Sequence, residues 1–87
     1  MSERELKEVG IVAHYFTKIG VAVIDLNDTL CVGDRILIKG MTTNVEQIVS
    51  SMQIEHANIK KADEGKSIGM KVDDRVRQGD TVYKILK

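Results

Sequence analysis

Apolar and polar residues alternate with a period of two along most of this chain, and only one short stretch suits a helical period. From Val9 to Phe16, the side chains of Val9, Ile11, Ala13 and Tyr15 share one face, while Val12, His14 and Phe16 share the other. Val and Ile stiffen the backbone toward extended conformations, so this pattern predicts a strand. Gly20 to Leu26 carries the unbroken apolar run Val21-Ala22-Val23-Ile24, which predicts a strand covered on both faces. Arg35 to Lys39 puts Ile36 and Ile38 on one face between charged flanks. Val45 to Ile54 alternates imperfectly, with Ile48, Met52 and Ile54 of one parity and Val45 and Val49 of the other. A β-bulge near Ser50-Ser51 would reconcile them, because one extra residue flips the face. Ile68, Met70 and Val72 alternate cleanly with Gly69 and Lys71, and Val82 to Leu86 predicts a last strand. Asn58 to Ala62 is the one expected helical turn, with Asn58 as its cap and Ile59 and Ala62 on one side.

Proline is absent, so the turns must come from Gly, Asn and Asp: Asn27-Asp28, Gly33-Asp34, Gly40, Asp63-Glu64-Gly65 and Gly79-Asp80. Two segments echo each other. Leu30-Cys31-Val32-Gly33-Asp34-Arg35-Ile36 and Val76-Arg77-Gln78-Gly79-Asp80-Thr81-Val82 both read as corners in which Gly supplies an uncommon φ and Asp bonds nearby backbone N–H groups. Short strands with turns roughly every 8 to 12 residues predict an all-β fold. The expectation is a single six-stranded, mostly antiparallel, closed β-barrel over residues 7–87, preceded by a flexible tail, residues 1–6. Closure would remove exposed edges. The expected core is Val9, Ile11, Ile24, Leu26, Leu30, Ile36, Ile38, Val49, Met52, Ile54, Ile59, Ala62, Ile68, Met70, Val72, Val76 and Val82.

Composition narrows the function classes. Eighty-seven residues allow one domain, and 43% hydrophobic with 30% charged residues is a globular mixture, not a disordered one. Thirteen basic residues balance 13 acidic ones, which argues against a strongly basic nucleic-acid coat. The balance is uneven along the chain: residues 1–56 hold five basic and eight acidic side chains, residues 57–87 eight basic and five acidic. No stretch approaches the roughly 18 apolar residues that span a bilayer, so no membrane partner is expected. A single cysteine, Cys31, and an acidic N-terminus without an apolar run predict a cytoplasmic chain lacking a secretory leader.

The motifs, in order, are Val32-Gly33-Asp34, Ile36-x-Ile-Lys-Gly40, Val49-x-Ser-Met-Gln-Ile-x-His56, Ile59-x-x-Ala-x-x-Gly65, Ile68-Gly-x-Lys-Val72 and Arg77-x-Gly-Asp-x-Val-Tyr83. This order resembles the β-barrel second domain of translational GTPases such as elongation factor Tu and initiation factor 2. It is closer to the small C-terminal barrel of the collagenase-like peptidase family, in which a similar Ser-Met-Gln-Ile-x-His run occurs. The resemblance covers about residues 7–87. It implies the barrel fold and an accessory role, with a transfer RNA, the ribosome or a protein as partner.

No catalytic or metal-binding constellation is evident. Cys31, His14 and His56 lie far apart in sequence and form no ligand pair. Gly65-Lys66-Ser67 looks like the tail of a phosphate-binding loop, but the required earlier glycine is Lys60 and the segment leads into a predicted strand, so no nucleotide is expected. Tyr15, Phe16 and Tyr83 are the only aromatic residues, too few for a base-stacking platform. Phosphate or partner contact is expected from Lys60, Lys61, Lys66, Lys71, Arg75 and Arg77, since backbone contacts need only charge. Taken together, the sequence predicts a module that is not an enzyme and needs no cofactor, docking to RNA or protein in translation or RNA modification. The rival expectation is a detached accessory barrel that completes a separately encoded peptidase-like enzyme.

Overall fold

Two interruptions shape the first strand, β1 (Leu6–Phe16). On its β10 (Thr81–Ile85) side the register slips between Glu8 and Gly10, and on its β2 (Val21–Leu26) side between Val12 and His14. Each slip turns the following residues over. Val9 and Val12 therefore both point into the core, and Ile11, expected inside, is 43% exposed. Gly10 sits where a Cβ would lie 2.8 Å from the Asp25 carbonyl and from Ile24 Cγ2, so the neighbouring strand can approach only because the side chain is absent.

The structure, a computed structural model, describes residues 5–86. Of the expected tail, residues 1–4 lie outside the described residues, and Leu6 is already paired with Ile85. The remaining strands are β3 (Leu30–Cys31), β4 (Arg35–Lys39), β5 (Asn44–Ile48), β6 (Met52–Ile54), β7 (Ala57–Ile59), β8 (Lys61–Ala62) and β9 (Ser67–Lys71). No helix is formed among the described residues.

The all-β expectation holds, but the closed six-stranded barrel does not. Eight antiparallel strands form one open sheet in the order β5-β4-β10-β1-β2-β9-β6-β7, and β3 pairs with β8 in a separate two-stranded sheet. The extra strands come from two places. Val45 to Ile54 is not one bulged strand. β5 pairs with β4, the chain leaves the ladder at Val49–Ser51, and β6 pairs with β7 and β9. The parity flip at Ser50-Ser51 is real, but it marks a change of partner. Asn58 to Ala62 is not a helical turn either: it carries the end of β7 and all of β8. β6 and β7 are joined by Glu55-His56, both with positive φ (49° and 67°), the geometry of a two-residue hairpin turn that usually takes Asn-Gly.

One core lies inside the curled sheet. Ile24, Leu30, Ile36, Ile38, Met52, Ile68, Met70 and Val82 are fully buried there, with Ile54 and Ile59 packed part-buried against them. Val12, Ala22 and Val45 join it from outside the expected list. Leu37, also unexpected, is buried on the opposite face of β4, away from that core. Truncating a buried Ile to Ala costs about 2 to 5 kcal/mol, a large share of the stability of so small a domain.

The open ladder has a seam between β5 and the end of β9. Gln47, on β5 and 6% exposed, crosses it. Its Nε2 donates to the Lys71 carbonyl at 3.0 Å, and its Oε1 accepts from the Asp73 N–H at 2.8 Å. A side-chain amide thus supplies the donor and acceptor that a paired strand would supply.

Candidate functional site

The loop between β9 and β10, residues 72–80, is pinned at several points. The Val72 N–H donates to the Gly20 carbonyl at 3.0 Å, and Gly79 donates to Val12, which donates in turn to the Asp80 carbonyl, both at 2.8 Å. Asp74 Oδ1 accepts the Arg75 N–H, and Asp80 Oδ2 accepts the Arg77 N–H, each at 2.7 Å. Val76 between the two arginines is buried and anchors the loop to the core. Asp80 is itself buried against Gly40. Arg75 and Arg77 stand exposed on either side of Val76, with Asp73, Asp74 and Gln78 exposed around them, on a backbone with little freedom.

Both arginines line two open clefts. One, of about 320 Å³, is completed by Asp74, by Thr42 and Thr43 of the β4–β5 connection and by Asn44 and Val45 at the start of β5. The other, of about 570 Å³, is completed by Val76, Gln78 and the end of β1 at His14, Tyr15 and Thr17. A third cleft of about 540 Å³ joins Arg77 to Lys39 and Met41. Three loops remote in sequence thus meet around Arg77. Apolar side chains stand exposed at the borders: Phe16 (45%), Ile19 (63%) and Met41 (fully exposed). His14 meets Phe16 edge-on, ring centroids 4.4 Å apart.

The six expected contact residues are not one patch. Lys60 and Lys61 sit against β3, with the Lys60 carbonyl accepting from Val32 N–H at 2.9 Å and Lys61 opposite Cys31. Lys66 lies at the head of β9, where its carbonyl accepts from Leu26 N–H. Lys71 ends that strand, about 16 Å further along for five extended residues. Of the six, Arg75 and Arg77 line the same two clefts. Around the lysines the charge is mixed. Lys7 pairs with Asp28 at 2.7 Å and Lys84 with Asp34 at 3.1 Å, and Asp63 and Glu64 stand exposed between Lys61 and Lys66. The Lys7 ammonium, followed by the Thr29 N–H, holds the Asp28 carboxyl below its usual range. Neither Arg75 nor Arg77, nor Lys18 or Lys39 nearby, is in an ion pair with a described residue.

The other singled-out residues have structural settings. Ser67 begins β9 and its hydroxyl donates to Asp25 at 2.6 Å, so Gly65-Lys66-Ser67 does lead into a strand. His56 is a turn residue, His14 an exposed strand position and Cys31 half-buried. Among the described residues, no group of three or more His, Cys, Asp or Glu is placed to hold a metal ion, and no helix is long and apolar enough to cross a membrane. The contributions of the β1–β2 and β4–β5 turns escaped the sequence reading. Their signal was Ile19 and Met41, large apolar residues in connections that are otherwise polar.

No protein-family model matches the chain. It is 46% identical over 77 residues to an uncharacterized protease of Methanocaldococcus jannaschii, a match covering 87% of this chain and 19% of that protein. It is 35% identical over 86 residues to a collagenase of Porphyromonas gingivalis, covering 97% of this chain and 24% of the collagenase. The chain therefore spans about a fifth to a quarter of the curated relatives it matches. In fold it is similar to the C-terminal domain of a Geobacillus thermoleovorans protein assigned to the U32 peptidases, with a TM-score of 0.83 at 18% identity, covering 87% of this chain and 96% of that domain. In sequence the chain is thus related to a part of that protease and of that collagenase, and in fold it is like the C-terminal domain of the Geobacillus protein. The expectation of a chain that is no enzyme is corrected by these matches. Its relatives are named protease and collagenase, and it matches about a fifth to a quarter of their length. None of the relatives named here is a translation factor.

Proposed function

We propose that this chain is an accessory domain that works beside a peptidase-like catalytic domain. The observation that carries the reading is one of proportion. A 46% identical match takes in 87% of this chain but only 19% of the protease, and the fold superposes on a domain that stands alone in its own crystal structure. A segment that forms its own core can serve as a unit attached to a larger body. The translation and RNA-modification reading rested on resemblance to the translational barrel, and it loses that support because the relatives are named protease and collagenase and the sheet is open.

The experiment is a graft. In the Porphyromonas gingivalis collagenase, the segment homologous to this chain is deleted, and separately replaced by this chain. Hydrolysis of fluorescein-labelled collagen is then measured. Deletion is expected to lower kcat/KM by about tenfold or more, equivalent to about 1.4 kcal/mol of lost transition-state stabilisation, with the graft recovering most of it. A truncated collagenase as active as the intact one overturns the proposal.

A further inference from the structure

The loop end built around Arg75 and Arg77 differs from the rest of the surface in three respects. Its cations are unpaired with described residues, whereas Lys7 and Lys84 at the other end already have carboxylate partners. Its backbone is fixed beforehand by the bonds to Asp74, Asp80 and Val12, so placing two guanidiniums requires little further ordering. Its clefts run into exposed apolar side chains, Met41 on one side and Phe16 beyond His14 on the other.

We infer that this end of the molecule binds an extended, acidic polypeptide segment whose carboxylates engage Arg75 and Arg77 and whose flanking apolar side chains rest on Met41 and Phe16. The two arginines flank the buried Val76 and so stand on the outer side of the loop, and alternate residues of an extended partner likewise project to one side, about 6.5 Å apart. Guanidinium and carboxylate match as planar, two-pronged donor and acceptor. A polypeptide fits better than a nucleic acid. Asp73 and Asp74 lie exposed on the same loop, where discrete carboxylates can be set clear of them but a continuous phosphate backbone cannot. The chain has no net charge to draw in polyphosphate, and Phe16 is the one exposed Phe or Tyr ring among the described residues, too little for a platform on which successive bases stack. This inference stands on the loop geometry and does not depend on the accessory-domain reading.

The test uses the full chain and three fluorescein-labelled probes read by anisotropy: the peptide Leu-Ser-Glu-Ser-Glu-Ser-Leu, the same peptide with Gln for Glu, and a twelve-nucleotide oligouridylate. The glutamate peptide should bind and weaken as salt rises. The double substitution Arg75→Gln with Arg77→Gln should reduce its affinity about tenfold or more, while Lys60→Gln with Lys61→Gln changes it by less than about twofold. Unchanged circular dichroism and Tm show that each variant is folded. Absence of binding, equal binding of the glutamine peptide, indifference to the arginine substitutions, or tighter binding of the oligouridylate would each overturn the inference.

Discussion

The corner at Cys31–Asp34 and the corner at Arg77–Asp80 close with the same pair of bonds. In each, the Asp N–H donates to the carbonyl three residues back at 3.1 Å, and the Asp carboxylate accepts the N–H of that same residue, at 2.9 Å in the first and 2.7 Å in the second. In each, the glycine between them has a positive φ, 97° at Gly33 and 93° at Gly79. Their surroundings differ. Asp34 is part-exposed and meets Lys84, whereas Asp80 is buried, forms no ion pair with a described residue and lies against Gly40. The local sequence writes the turn, and the packing around it decides how much of the fold depends on it.

That comparison can be broken most sharply at Gly40. A Cβ there would run into Asp80 Oδ1, so Gly40→Ala should cost about 3 kcal/mol in urea unfolding. The double variant with Asp80→Ala should cost less than the sum of the two single changes, since removing the carboxylate removes the clash. Next, Asp80→Ala should cost about 2 to 3 kcal/mol, because it leaves the part-buried Arg77 N–H without its partner and empties the buried site of the Asp80 carboxylate. Asp34→Ala should cost clearly less, since water can reach its corner. Equal losses would mean that burial does not set the difference. Gly33→Ala and Gly79→Ala should match each other at about 1 to 2 kcal/mol. Both positions are open to a Cβ, so only the backbone conformation opposes the change. Smallest of all, Lys84→Met should shift stability by about 0.5 kcal/mol, as expected for a pair reached by solvent.

These corners were legible in the sequence because everything that makes them lies within four residues. So were most core positions, where alternation is uninterrupted, as at Ile36 and Ile38 or Ile68 and Met70. Ile11 was misplaced because two slips of register in β1 turn its neighbours over, and the one local hint was Gly10 inside a strand. The hairpin at Glu55-His56 is hidden because it lacks the Asn-Gly or Asp-Gly that such turns usually carry, and Asn58 with Ile59 and Ala62 three apart mimics a capped helical turn just after it. The open sheet was misjudged because six runs of alternation do not reveal which strand pairs with which. The candidate site was half visible. Arg75 and Arg77 were picked out for their charge, but were grouped with lysines near them in sequence. The structure joins them instead to Thr42–Val45 and to His14, Tyr15 and Thr17, an association set by tertiary packing alone.

Fastening the seam with Gln47 has a consequence for how this chain can change over generations of mutation. A strand edge closed by backbone pairing accepts nearly any side chain, because the bonds belong to the main chain. Here both bonds belong to one residue, and they require an amide carrying a donor and an acceptor at the full reach of glutamine. Ile48 beside it faces solvent and is free to drift. Position 47 is not, so a single codon holds a joint that other sheets spread over a whole strand.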